Sequence, residues 1–480
     1  MSLITSTLGR LSRRLPCLGS PCSPRYVRCY SATASILGTP PPPTKVEKLL
    51  LDTIKSTGPI TFSTYMQLCL SHPTLGYYMN PANEIFGTRG DFITSPEISQ
   101  VFGELVGVWL LSRYQASGQG RKIRLVELGP GRGTLMHDII RTLSRFSFAS
   151  TSLTHLHLIE TSPPLQVIQE QKLTPSTQPL NIHTEWHGSI EDVPVDEEGK
   201  FFTMVVAHEF FDALPFHLFE RTEQAWKELL ITAPPPPTIT TSVSSPHSLS
   251  TSTPPTTLIS TNAPRLTTVS SPTPMSTLLP NTSPRFSSLP VGARIEVSHV
   301  GWKIAQRIGE LIGGSQADSG PQTSSGCALI VDYGDDKAFG DSFRVRPSAF
   351  KNHKIVSPFH LPGESDLTLN VDFAYLKESI SPLAKPLGPL TQSAFLNRMG
   401  LQARLQTLLN SAKSEDRASN IRTAVGRLVD ESGMGMGRVY RILGVVGKEE
   451  VVEGQMIWPF AEEGGKFHVE TIDGDSCIPP

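Results

Sequence analysis

Three glycines at alternate positions, Gly129, Gly131 and Gly133, follow the apolar run Ile123–Leu128 and precede the amphipathic stretch Leu135–Leu143. Glycines there let the chain turn sharply from strand to helix and let a ligand lie close to the backbone. An ordinary tight turn needs one of them, not three. Glu127 stands two residues before the first. A second carboxylate, Glu160, ends the run Leu156–Ile159; an acid at that place in a nucleotide-binding sheet accepts hydrogen bonds from ribose hydroxyls, against the plainer reading of a solvated strand end. The third group is His208-Glu209-Phe210-Phe211-Asp212, directly after the apolar Met204–Ala207. Ligands of open α/β sheets bind at the C-terminal ends of strands. Glu209 and Asp212, three residues apart, are candidates to face one cleft. Paired carboxylates there suit a guanidinium, which is planar, stays charged and is gripped bidentately, and they can also take up a proton. For Asp212 a helix N-cap ahead of Ala213-Leu214 competes with that role, and a lone histidine such as His208 is more often structural.

The glycine spacing is G-x-G-x-G. Dinucleotide enzymes favour G-x-G-x-x-G, with the pyrophosphate on the helix N-terminus. The shorter spacing, with Glu127 just before it, resembles the first motif of class I methyltransferases, in which the loop passes under the amino-acid part of S-adenosylmethionine. Glu160 serves either kind of cofactor and does not discriminate between them.

These residues need a scaffold. Ile123–Leu128, His155–Ile159, Ile182–Trp186, Phe201–Ala207 and Ala328–Val331 read as strands, with helices over Leu135–Leu143 and Leu165–Lys172 between them. That rhythm predicts an α/β fold: a class I methyltransferase-like, doubly wound parallel sheet covered on both faces. Helices are predicted before it at Thr44–Lys55, Ile60–Leu70 and residues 97–114, and after it at Asp372–Ile380 and Gln392–Leu409, with a late strand over Arg438–Val446. Residues 233–290, dominated by Ser, Thr and Pro, read as a disordered insertion, because such a stretch cannot bury enough apolar surface to offset its ordering entropy.

The wider composition agrees. The chain has 480 residues, 41 of them proline, and only 38% are hydrophobic, so part of it is expected not to pack. A net charge of -2 gives no global signature of a nucleic-acid partner, and no apolar run reaches the roughly 18 residues of a membrane span. Residues 1–30 hold Arg10, Arg13, Arg14, Arg25 and Arg28 and no acid, the first being Glu47; this describes a mitochondrial transit peptide. A Pro-rich linker, 31–44, leads into a methyltransferase domain over 45–463, and 464–480 reads as a polar tail. Cys69, Cys327 and Cys477 lie beyond the presequence without a C-x-x-C pair, so no cysteine-based zinc site is expected, and no metal ligands are assigned.

Taken together these motifs are identified with the MidA-like family of mitochondrial complex I assembly factors. The most distinctive segments are His72-Pro73-Thr74-Leu75-Gly76-Tyr77-Tyr78, Gly90-Asp91-Phe92-Ile93-Thr94-Ser95-Pro96-Glu97, Val126–Thr134, His208–Pro215, Leu329–Gly334 and Asp366-Leu367-Thr368. The resemblance implies a matrix protein arginine methyltransferase, dependent on S-adenosylmethionine, that symmetrically dimethylates an arginine of a complex I core iron–sulfur subunit. It implies Glu127, Gly129, Gly131, Gly133 and Glu160 as cofactor residues, Glu209 and Asp212 beside the substrate, and Asp91, Thr94, Ser95 and Glu97 as a polar loop over the cofactor. Helix capping alone accounts for Ser95, Pro96 and Glu97. The alternative reading is a non-catalytic assembly chaperone that keeps the fold.

Overall fold

The register of the strands shows why their runs are apolar. In the computed structural model, Lys122–Leu128 (β1), Leu153–Ile159 (β2), His183–His187 (β3), Phe201–His208 (β4), Ser325–Asp335 (β5), Lys385–Thr391 (β6) and Tyr440–Val446 (β7) form one sheet in the order β3-β2-β1-β4-β5-β7-β6. Strands β1 to β5 run parallel, and β7 is antiparallel to both its neighbours. The structure describes residues 42–79, 94–118, 120–234, 266–314, 324–346, 357–432, 435–448 and 457–460.

Both faces of the sheet are covered, so alternate residues of one strand enter different cores. Ile123, Leu125, Phe202, Met204 and Val206 pack with Phe102, Trp109 and Leu110 of the helix Gln100–Ala116 (α1) and Ile139 of Thr134–Leu143 (α2). Val126, Leu128, Val205, Ala207 and Ile330 point the other way, onto Ile308 and Leu311 of His299–Gly313 (α4) and Leu376 of Phe373–Ile380 (α5). The helix Pro163–Thr177 (α3) follows β2 and buries Gln169 and Leu173. Each fully buried aliphatic side chain contributes about 1.5–3 kcal/mol.

The chain runs outward from β1 through β2 to β3, then returns to place β4 on the other side of β1. The order reverses there, which opens a crevice above the C-terminal ends of β1 and β4. A second, antiparallel sheet joins Ile60–Thr61, which precedes β1, to strands that lie between β4 and β5: Trp226–Thr232, His217–Arg221 and Arg294–Val297 follow it in that order, with Thr267–Ser271 on Trp226–Thr232. Its core takes in Leu50 and Ile54 of Lys45–Thr57 and Tyr65, Met66 and Leu70 of Phe62–Ser71.

Three expectations need correction. The insertion expected to be disordered over 233–290 is ordered from Leu266 onward: Thr267–Ser271 pairs with Glu228–Thr232, and Leu266, Leu279 and Phe286 are buried. Few but well-spaced apolar anchors and a ladder of backbone hydrogen bonds order a stretch whose average composition reads as coil; residues 235–265 lie outside the described part. The helix expected over Gln392–Leu409 is two helices, Gln392–Arg398 and Leu401–Asn410, interrupted at Gly400 with φ 92°. The N-cap expected at Ser95 lies one residue earlier: Thr94 is the N-cap of Ser95–Ile98, and Ser95 is the first helical residue. The expected transit peptide, nearly all of the linker and the polar tail lie outside the described residues. No helix among the described residues is long and apolar enough to cross a membrane.

Candidate functional site

The turn after β1 takes left-handed backbone at every second residue. Gly129, Gly131 and Gly133 have φ of 64°, 55° and 75°, a region that disfavours residues with a Cβ. At Gly129 a Cβ would also stand 2.9 Å from the Phe210 ring. Gly129 N–H donates to Ile159 O at 3.1 Å and Gly133 N–H to Pro130 O at 2.8 Å, so the loop is closed on itself and on β2. Gly133 is the N-cap of α2 and faces Leu173 and Gln169; its part is close packing of α2 against α3.

Glu160 lies just beyond β2, nearly buried. Its Oε1 accepts from Ser162 N–H at 2.8 Å and its Oε2 from Gln169 Nε2 at 3.0 Å. The same Gln169 nitrogen donates to Gly131 O at 2.9 Å, while its oxygen accepts from Trp186 Nε1 at 2.9 Å. Tryptophan can only donate, which fixes the amide's orientation. One buried glutamine therefore ties the glycine loop, the strand-end acid and β3 together. Burial pushes Glu160 up, and the bonds from Ser162, Gln169 and Thr161 pull against that shift.

Glu209 takes φ 50°, a conformation that costs a residue with a side chain about 1–3 kcal/mol. Neighbouring bonds hold it there. Its N–H donates to Val331 O at 2.9 Å, and the next three N–H groups, of Phe210, Phe211 and Asp212, all donate to Asp332 Oδ2 at 3.1, 2.9 and 3.2 Å. Asp332 is fully buried near the end of β5; burial, with the charges of Asp212 and Glu209 added, pushes it well above the usual carboxylate range. Tyr440 Oη donates to Glu209 Oε1 at 2.6 Å and is in close contact with Tyr333 Oη.

Asp212 does not cap a helix through its side chain. Its Oδ2 accepts from Thr368 Oγ1 at 2.6 Å, and its carbonyl from Leu369 N–H at 3.1 Å. Two residues before Thr368, Asp366 accepts from Tyr78 Oη at 2.7 Å. Burial, then the charges of Asp366 and Asp212, raise the Tyr78 hydroxyl well above its ordinary value. Ser162 Oγ in turn donates to Tyr78 O at 3.1 Å. His208 packs between Phe102 and Tyr440, with ring centroids 5.2 and 6.2 Å away.

A cavity of about 380 Å³ joins these groups, lined by Gly129, Gly131 and Glu160 on one side and by Glu209, Asp212 and Asp366 on another. Gly188, Ser189 and Ile190 after β3, together with Phe210 and Ile304, supply further wall. A smaller one, about 60 Å³, shares Gly129, Gly131 and Glu209 and adds Thr94, Glu97 and Glu127. Glu127 is buried, its Oε2 has no hydrogen-bond partner among the described residues, and burial pushes its carboxyl up to about 8.

These features fit S-adenosylmethionine. The orphaned Glu127 oxygen is an acceptor that an ammonium would satisfy, and the Glu160 oxygens keep lone pairs for two hydroxyls. Eight of the eleven expected residues thus border these two cavities: Glu127, Gly129, Gly131, Glu160, Thr94, Glu97, Glu209 and Asp212. Gly133 lies behind them and Asp91 lies outside the described residues. Ser95 faces elsewhere, donating to Gln392 Oε1 at 3.1 Å beside Met436, because it opens a short helix packed on the C-terminal additions. Sequence reasoning gave no role to Gln169, Asp332, Asp366, Tyr78 or Tyr440. Asp332 had a usable signal, an acid at the C-terminal end of the strand next to β4; Gln169 had none.

Comparison with known proteins accords with this geometry. Residues 105–389 match the family model described as a putative S-adenosyl-L-methionine-dependent methyltransferase. The mitochondrial protein arginine methyltransferase NDUFAF7 of Danio rerio is 38% identical over 393 residues, covering 78% of this chain and 81% of that protein. The Homo sapiens protein of the same name is 32% identical over 415 residues, covering 82% of each. Among solved structures, a Burkholderia thailandensis protein bound to S-adenosyl-homocysteine superposes with a TM-score of 0.63 at 22% identity, over 84% of this chain and 91% of that one, which establishes likeness of fold.

Proposed function

Because the chain belongs to the S-adenosylmethionine-dependent methyltransferase family that includes mitochondrial NDUFAF7, we propose that it is a protein arginine methyltransferase of the mitochondrial matrix. S-adenosylmethionine is its cofactor, and like those relatives it is a mitochondrial protein. The observation that carries the reading is the wall of the 380 Å³ cavity, where Glu209, Asp212 and Asp366 gather opposite Glu160 and the glycine loop. Three carboxylates lining one cavity repel each other unless a cation joins them. A guanidinium is the protein cation that also needs planar, bidentate partners.

In this reading Gly129, Gly131, Glu127 and Glu160 hold the cofactor, which supplies a methyl group on a sulfonium. Asp212 and Asp366 are fixed by Thr368 and Tyr78 and orient the guanidinium. Glu209, fixed by Tyr440 and by its own backbone, takes the proton that the methylated nitrogen must lose. Correct orientation supplies much of the rate gain in such transfers. The proposed substrate is an arginine of a complex I core iron–sulfur subunit, and the proposed product is symmetric dimethylarginine.

The test is transfer of labelled methyl from S-adenosylmethionine to that subunit, with mass spectrometry of the product. Label on an arginine, lost in Glu209→Gln while cofactor binding persists, is expected. Tight cofactor binding with no label on any complex I subunit would favour an assembly chaperone that retains the fold.

A further inference from the structure

Away from that cavity, at the edge of the sheet, four histidines and a glutamate share one face of β2 and β3. The register pairs His155 with His183, His157 with Glu185 and Ile159 with His187, and alternate residues of a strand point the same way. Three side-chain atoms converge. His157 Nδ1 lies 2.9 Å from His187 Nε2 and 3.2 Å from Glu185 Oε2, and the same Oε2 lies 3.9 Å from His187 Nε2.

The geometry points to a binding site for a divalent transition ion of the zinc class, ligated by His157, Glu185 and His187. A tetrahedral ion bonded at about 2.0–2.1 Å sets its ligand atoms about 3.3 Å apart, close to these spacings. Two imidazoles and one carboxylate are a donor set suited to zinc or copper and poor for magnesium or calcium. His157 is buried and His187 nearly so, while Glu185 reaches solvent, so a fourth position is open to water from the outer side.

Such an ion takes neutral histidine and ionised carboxylate. A proton shared between His157 and His187 satisfies one nitrogen pair; a metal ion satisfies both nitrogens and the carboxylate together.

The position gives the ion a structural consequence. β3 is the edge strand, and β-sheet edges are where pairing frays first. His187 O accepts from Glu160 N–H at 3.0 Å, and the next three residues, Gly188 to Ile190, line the large cavity. An ion joining β2 to β3 fastens that wall.

The full chain, untagged and stripped with chelator, is titrated with zinc chloride by calorimetry, and the loaded protein is examined by X-ray absorption. One zinc per chain is expected, with nitrogen and oxygen ligands at about 2.0–2.2 Å. Loss of an outer partner of a metal site costs roughly 10–100-fold in affinity, so His187→Ala and the isosteric Glu185→Gln, both checked for native circular dichroism, are expected to weaken binding at least that much. Absence of stoichiometric binding overturns the site, as does affinity unchanged in both variants but lost in His155→Ala.

Discussion

Gln169 donates a hydrogen bond to Glu160 Oε2 at 3.0 Å from a position where neither side chain is more than slightly exposed. Gln169 is a positioning residue: it holds the acid that is proposed to take the ribose. In Gln169→Leu, Gly131 O and Trp186 Nε1 also lose their partner. Each buried polar group left unpaired costs about 1–3 kcal/mol, part in stability and part in site geometry. S-adenosylhomocysteine affinity is expected to fall about tenfold, which corresponds to about 1.4 kcal/mol, together with a lower Tm. Calorimetric affinity equal to wild type in a folded variant would show that Glu160 needs no such support.

Cofactor affinity is expected to rise with pH up to about 8. Burial pushes Glu127 up to about 8, so below that pH the free protein carries a proton there. An ammonium beside it favours the ionised form, and binding then releases the proton. The slope approaches tenfold per pH unit well below 8 and flattens above it. Titrations in two buffers of different ionisation enthalpy count the proton. Glu127→Gln is expected to remove both the slope and the release; a proton count of zero in the wild type sinks this role.

The same residue makes a stability prediction of opposite sign. A carboxyl whose folded value lies above its unfolded one favours the folded state most at low pH, and that advantage is lost as pH rises toward the folded value. The window runs from about 4.5, the ordinary value, to about 8. Without cofactor, the wild type is expected to lose Tm relative to Glu127→Gln between pH 5 and pH 8. Parallel melting curves across that range would mean that Glu127 finds a partner in the free protein.

The scaffold was more legible in the sequence than the site. Strands β1 and β4 are buried on both faces along most of their length and β2 at its C-terminal half, so their sequences are rich in apolar residues there and their ends coincide with glycine or acid. The second sheet was hidden because its strands are two to seven residues long and several of them, such as Ile60–Thr61 and Arg294–Val297, pair across large gaps in the chain. The glycine loop, Glu160 and Glu209 were visible as types at strand ends. Their supports were not, because Gln169 sits in mid-helix, Tyr440 opens the last strand and Asp366 lies over 150 residues from Asp212. The nearness of such residues is a product of the fold and leaves no trace in local spacing. The histidines of β2 and β3 were read only as strand residues, since their alternation carries the strand period and their convergence needs the register.

Tyr440→Phe is expected to separate turnover from binding. The hydroxyl donates to Glu209 Oε1 at 2.6 Å, and a hydrogen bond to a charged group contributes about 1.5–3 kcal/mol. The ring remains to pack on His208. Turnover with the protein substrate is expected to fall about tenfold or more, while S-adenosylhomocysteine affinity stays within about twofold, because Tyr440 borders neither Glu160 nor the glycine loop. Equal losses in both quantities would assign Tyr440 to the architecture of the cavity as a whole.

Gly129→Ala tests whether the loop's shape is what the cofactor reads. Two independent costs attach to one methyl group. Left-handed backbone at φ 64° disfavours an L residue by about 1–2 kcal/mol, and the new Cβ would stand 2.9 Å from the Phe210 ring, so the ring must move. Phe210 follows Glu209 and lines the same cavity; its displacement disturbs cofactor and substrate walls together. The single variant is expected to bind S-adenosylhomocysteine at least about tenfold more weakly. Phe210→Ala in the same chain removes the steric conflict and leaves the backbone cost. The double variant is therefore expected to recover part of the affinity relative to Gly129→Ala, a coupling that a double-mutant cycle measures directly. Strictly additive losses would show that Phe210 yields freely and that backbone strain alone accounts for the glycine.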